Sequence, residues 1–162
     1  MMMIRSAAVA LASAVVLVAG IGVAVVSSQA GKPAAAGKPT VAVFKSPTCG
    51  CCAKWSEHMT AAGYTIASRD MTDMNAVKDE HRVPSPLRSC HTALVGGYVI
   101  EGHVPADVIA RLLAERPAGV VGLAVPGMPT GSPGMESADG FKTPYQVMAF
   151  TQDGQSRVYA SK

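Results

Sequence analysis

Nowhere in this chain do lysines and arginines gather into a block. The formal net charge is +3 over 162 residues, too small and too evenly spread for a nucleic-acid surface. Cysteine is scarce too, with four residues in all. None lies near the N-terminal cleavage signature described below, which argues against a lipoprotein anchor. The spacing of a disulfide framework is also missing. Cys51 and Cys52 are adjacent, and bonds between such close neighbours constrain little of an unfolded chain. Two well-separated cysteine pairs, the usual frame of a structural zinc site, are likewise absent.

What is present begins with export. Arg5 precedes an uncharged, Ala/Val-rich stretch from Ser6 to Gln29, and Ser28-Gln29-Ala30 is a small-x-small cleavage signature. Residues 1–30 are therefore expected to be a signal peptide. An uncleaved N-terminal anchor is the alternative, because the apolar stretch reaches bilayer-spanning length. Both place the remaining chain outside the cytoplasm, with membrane contact only through an uncleaved N-terminus. Gly31 to Thr40, with Gly-Lys-Pro written twice, reads as a linker over 31–40, so the domain is expected over 41–162.

Within that domain the spacing predicts alternating elements. Val41 to Lys45 is a strand, broken by Ser46-Pro47-Thr48. A helix follows from about Cys51 to Ala62, with Trp55, Met59 and Ala62 on its buried face and Gly63 as its stop. Tyr64 to Ser68 reads as a second strand. Thr72 or Asp73 can cap a polar helix through His81, ended by Val83-Pro84. Thr92 to Val95 and Tyr98 to Glu101 form a hairpin around Gly96-Gly97. Pro105 opens a helix striped by Val108, Ile109, Leu112 and Leu113. Ala118 to Pro144 is rich in Gly and Pro without periodicity and is expected to be a long loop. A last hairpin turns at Gln152-Asp153-Gly154 between Tyr145–Phe150 and Arg157–Ala160. This order, with Cys-x-x-Cys after the first strand, predicts an α/β, thioredoxin-like fold.

The chemistry gathers at Cys49-Gly50-Cys51-Cys52. A helix N-terminus offers unpaired N–H groups and partial positive charge, which favour thiolate. Thiols this close either exchange with disulfides or hold a soft metal. Cys90-His91 begins the strand that should face this motif. In thioredoxin-like folds that position is commonly a cis-proline; here His91 stands there, and a Cys-His pair adds ligands. Three sulfurs within four residues cannot easily occupy the corners around one ion, whereas thiolates bridging several ions can. Soft thiolate and thioether donors select Cu(I), with zinc the lesser expectation. Met128 and Met135 lie in the turn-rich loop with no obvious core to fill, so a ligand or lid role is expected of them. His103 should return to the cysteine-bearing edge, while His58 and His81 read as surface residues.

Together Cys49-Gly50-Cys51-Cys52, Cys90-His91, Glu101-Gly102-His103-Val104-Pro105 and Gly122-Leu123-Ala124-Val125-Pro126-Gly127-Met128-Pro129, followed by Gly131-Ser132-Pro133-Gly134-Met135, resemble the CopG-type copper-resistance proteins. These are a thioredoxin-like metal-binding domain family of unknown function, and the resemblance spans about Val41 to Lys162. It implies a periplasmic protein holding copper through its cysteines, as a multi-copper cluster with a redox role, for copper tolerance or transfer to other periplasmic copper-handling proteins. The expected ligands are Cys49, Cys51, Cys52 and Cys90, with His91, His103, Met128 and Met135 as supplements. The rival expectation is a thiol–disulfide or copper oxidoreductase, with Cys49 as nucleophile and Cys52 as resolving thiol.

Overall fold

The computed structural model describes residues 37–162. The expected signal or anchor segment over 1–30, and the start of the 31–40 linker, lie outside the described residues. Described residues form a mixed α/β arrangement of seven strands in one sheet and three α-helices.

Strand β1, Val41–Lys45, turns Val41 and Val43 fully into the core, the period-two pattern of a pleated strand. Helix α1, Gly50–Ala61, follows with Cys49 at its N-cap. It buries Cys52, Trp55 and Met59, one stripe at helical spacing. Ala62 is partly buried against the same core, and Gly63, at φ +87°, turns the chain out of the helix. Strand β2, Ile66–Asp70, starts two residues later than the expected Tyr64. Tyr64 is instead a core residue in the turn, its N–H donating to the Met59 carbonyl. Helix α2, Met74–Glu80, is capped by Asp73, whose carboxylate accepts from the N–H groups of Asn75 and Ala76.

Strands β3, Thr92–Val95, and β4, Tyr98–Glu101, form the hairpin, with Gly96 and Gly97 at φ +57° and +90°. A two-residue turn with both central residues at positive φ suits the twist of paired strands. Helix α3, Ala106–Glu115, buries Val108, Ile109 and Leu112.

The expected loop over Ala118 to Pro144 needs correction, because it contains strand β5, Val120–Ala124, parallel to β4. Strands buried on both faces carry a continuous apolar run rather than an alternating one, so no period shows. Gly122 is part of the reason: a Cβ there would lie 2.3 Å from the Val99 carbonyl and 2.4 Å from the Phe150 ring. A residue that reads as a breaker in the sequence is what lets this strand fit. Beyond the remaining loop, β6, Gln146–Thr151, and β7, Ser156–Ser161, extend the sheet.

The strand order is β2-β1-β3-β4-β5-β6-β7. Strand β3 runs antiparallel to β1 and β4, while β2 is parallel to β1 and β5 to β4. Three pairings then decide where the chemistry falls: Phe44 with Thr92, Thr92 with Glu101, and Glu101 with Ala124. They bring the exit of β1, the entrance of β3 and the exits of β4 and β5 to one end of the sheet. The core behind that end includes Trp55, Met59, Ile100, Ile109, Leu112 and Leu123. No described helix is long and apolar enough to cross a membrane.

Candidate metal centre

Each sulfur arrives at this end by a different route. The exit of β1 passes through Ser46-Pro47-Thr48 into α1, putting Cys49 at the helix N-cap, where its side chain makes no capping bond. Cys49 is half-buried and Cys52, one turn on, is fully buried. The two are joined by a disulfide, leaving Cys51 and Cys90 as free thiols. Cys51 Sγ lies 3.6 Å from Cys49 Sγ. Cys90 is delivered by the entrance of β3, and the sulfurs of Cys49, Cys51, Cys52 and Cys90 all lie within 4.8 Å of one another.

Cys90 also belongs to a second group, with His91 and His103, whose ligand atoms likewise lie within 4.8 Å of one another. Its sulfur is 3.2 Å from His91 Nδ1 and 2.9 Å from His103 Nε2. His103 Nδ1 lies 2.7 Å from the Pro133 carbonyl, which can only accept, so Nδ1 carries the proton and Nε2 offers its lone pair to Cys90. The Cys90 thiol is pushed up to about 12, first by burial and then by the neighbouring Cys51. It is a thiol at neutral pH, and its S–H can donate to His103.

His91 is completely buried, and its Nε2 has no hydrogen-bond partner among the described residues. Burial, then His103 and Lys78, hold it well below the usual histidine range, so the ring is neutral. Burial lowers His103 as well. A neutral imidazole with an unmet buried nitrogen is costly as pure packing and chemically suited to binding a metal. Four sulfurs and two neutral imidazoles make a soft donor set.

Trp55 ties the pieces together. Its ring packs 4.5 Å from that of His91, and its indole N–H donates to the Val104 carbonyl, next to His103. Gly134, in the loop after β5, rests on the first turns of α1; a Cβ there would lie 2.7 Å from the Cys51 carbonyl. Met135, half-buried, shares an open pocket of about 360 Å³ with Gly50, Cys51, Lys54, Gly134 and Glu136. Met128 stands 52% exposed to solvent, on a turn whose Gly127 carbonyl accepts from the Ser89 hydroxyl. The structure thus assembles Cys49, Cys51, Cys52, Cys90, His91 and His103, sets Met135 at their lip, and leaves Met128 facing outward. A larger groove of about 510 Å³, lined by Pro126, Pro129, Tyr145 and Met148 among others, contains none of the cysteines or histidines.

Three features escaped the sequence. Behind the site, fully buried Glu101 accepts from Lys78 Nζ at 2.6 Å, from the Ser89 N–H at 2.6 Å and from the Thr92 hydroxyl at 2.7 Å. Glu101 was visible inside Glu-Gly-His-Val-Pro, yet nothing in the spacing joins it to Lys78. His58, expected at the surface, is half-buried and accepts the Ala106 N–H at 3.1 Å, which secures the start of α3. His81, also expected outside, is half-buried against the Phe44 ring.

Fold and site define a mixed α/β protein with four cysteines and two histidines converging at one end of its sheet. A family model described as a protein of unknown function, DUF411, matches residues 87–135. Two solved structures, named copper resistance protein CopG, Form 1 and Form 2, are each 42% identical over 77% of this chain and 98% of theirs, with a TM-score of 0.72. No curated protein matches the chain. The chain belongs to the CopG family of copper resistance proteins.

Proposed function

We propose that this protein binds Cu(I) in the periplasm for copper tolerance, holding the ion or handing it on to other copper-handling proteins. One observation carries the reading: Cys90 lies within ligand distance of both the α1 sulfurs and two neutral imidazoles. The names of the solved relatives support copper as the cargo. So does donor softness, since thiolates favour Cu(I) among available ions. Cys49, Cys51, Cys52 and Cys90 supply thiolates, His91 and His103 supply imidazole nitrogen, and Met135 stands at the rim with Met128 further out. Close-set sulfurs favour bridging thiolates and hence several ions. Because Cys49 and Cys52 are disulfide-bonded here, the full thiolate set requires a two-electron reduction first.

The β2-β1-β3-β4 order, with only β3 reversed, supports a thioredoxin-like reading of residues 41–162. The N-terminal apolar stretch supports export. Anaerobic titration of the reduced protein with Cu(I) against a chromogenic chelator tests the copper reading. At least one tightly held equivalent is expected, lost or weakened in Cys51→Ser and Cys90→Ser. Less than one equivalent, or unchanged binding in both variants, refutes it.

The Cys49–Cys52 disulfide itself favours a second reading, thiol–disulfide exchange. Once an external dithiol has reduced that bond, half-buried Cys49 would attack a substrate disulfide and buried Cys52 would resolve the mixed disulfide, passing two electrons to the substrate and re-forming Cys49–Cys52. Insulin reduction by the metal-free protein with dithiothreitol tests it; no turnover above the dithiothreitol background excludes it.

A further inference from the structure

Lys78 and Glu101 form an ion pair at 2.6 Å with side chains only 5% and 0% exposed. Burying two charges costs desolvation that their attraction repays only with good geometry and further hydrogen bonds. Both conditions hold here. Lys78 Nζ also donates to Thr92 Oγ1 at 3.2 Å, and one carboxylate oxygen of Glu101 takes Lys78 and the Ser89 N–H while the other takes the Thr92 hydroxyl. Ser89 and Thr92 bracket Cys90-His91. Glu101 also precedes Gly102, whose N–H donates to the His91 carbonyl at 2.9 Å. The carboxylate therefore grips the backbone before Cys90 and the side chain after His91, from the strand that leads to His103. Helix α2 buries only Val77 and Lys78, so this charge is a large part of its attachment.

We propose that Glu101, held by Lys78, is a positioning residue that fixes Cys90 and His91 against the α1 sulfurs. Without its acceptor oxygens the two halves of the site separate although every sulfur and imidazole is still present. The purpose of this positioning rests on the copper reading; the positioning itself does not, and its test uses no copper.

With the Cys49–Cys52 disulfide intact, Cys51 and Cys90 are the free thiols. Phenylarsine oxide bridges two thiols only where both reach one arsenic atom, so its capture rate reports their proximity. Two charge-neutral pairs are compared in the full chain. Lys78→Met with Glu101→Gln keeps an amide oxygen to accept the Ser89 N–H and an NH2 that can donate to the Thr92 hydroxyl; Lys78→Met with Glu101→Leu keeps neither. The Gln pair is expected to capture at close to the parent rate and the Leu pair about tenfold more slowly, the scale of losses when supports behind a ligand are removed. Iodoacetamide should label Cys51 at the parent rate in both. Parent-like capture by the Leu pair overturns the proposal. So does a Gln pair no faster than the Leu pair, because the acceptor would then be irrelevant. Should the Leu pair not fold, amide exchange on the unmutated protein decides. The Ser89 N–H is expected to exchange about a hundredfold more slowly than in an open chain, and open-chain exchange there overturns the proposal.

Discussion

His103 presents Nε2 to the Cys90 sulfur at 2.9 Å because its Nδ1–H is taken by the Pro133 carbonyl at 2.7 Å. The loop after β5 therefore selects the tautomer of a ring that follows β4, and that tautomer leaves the lone pair on the sulfur side. Replacing this ring removes a donor nitrogen without touching a cysteine. His103→Phe, which keeps an aromatic ring but no donor nitrogen, is expected to lower Cu(I) affinity by at least about tenfold, since even the supports of metal ligands are worth that much. Competition titration against a Cu(I) chelator measures it. Unchanged affinity would place His103 outside the ligand set.

The same loop makes a backbone contact that a methyl group forbids. Gly134 sits at φ +85°, where a Cβ would lie 2.7 Å from the Cys51 carbonyl and 2.8 Å from the Trp55 backbone nitrogen. Gly134→Ala is expected to destabilise the domain by roughly 1–3 kcal/mol, combining left-handed strain with overpacking. It should also speed alkylation of Cys51 as the loop lifts. Gly127→Ala is the control: φ is +68°, but nothing lies within 4 Å of its Cβ, so only the backbone cost of about 1 kcal/mol applies. Denaturant melts of the two variants give the difference.

How much of this was readable in the chain follows from the range of each signal. The strand–helix junction at Cys49 and the Gly96-Gly97 turn are encoded within a few residues and are legible there, while the helix cap is legible only as a choice between Thr72 and Asp73, which the fold resolves to Asp73. Strand β5 was hidden because burial on both faces erases alternation and because Gly122, needed for close packing, looks like punctuation. The Lys78–Glu101 pair joins residues on a polar helix and a strand end, and no periodicity links such positions. Cys-x-x-Cys spacing announced that Cys49 and Cys52 can bond; spacing cannot say whether they have.

Acid should weaken the metal-free fold. His91 and His103 are both held below the ordinary histidine value of 6.5, chiefly by burial, and half-buried His58 is lowered in the same way. Below that pH the unfolded chain binds protons that the native state refuses, so stability falls as pH falls. The contribution is intact above 6.5 and is lost toward the depressed native values. The melting temperature of the disulfide-intact protein is expected to drop between about pH 7.5 and pH 5, and His91→Phe should flatten the slope. A melting temperature independent of pH over that window contradicts the buried neutral pair.

Cu(I) binding should depend on pH in the same direction for a different reason. The Cys90 thiol is pushed up to about 12 in the metal-free state, so a proton must leave whenever this sulfur becomes a ligand near neutrality. Each unit of acidification should therefore cost at least about tenfold in affinity through this one proton. Cys90→Ser should show a shallower slope, by about one proton per ion-binding event. Equal slopes in the two proteins would mean that Cys90 is not metallated.

Oxidation state should govern capacity. With Cys49 and Cys52 bonded, only Cys51 and Cys90 can become thiolates; after reduction all four can. Thiol titration under denaturing conditions should count two groups before reduction and four afterwards, as the present pairing requires. Cu(I) uptake should rise with that count, because bridging needs the extra sulfurs. Cys52→Ser offers the sharper comparison. It cannot form the Cys49–Cys52 bond and lacks one sulfur, so once reduced its uptake should stay below that of the fully reduced parent. If oxidised and reduced parent bind the same number of ions, the disulfide sulfurs are not part of the metal site, and Cys51, Cys90 and the two histidines must hold the copper by themselves.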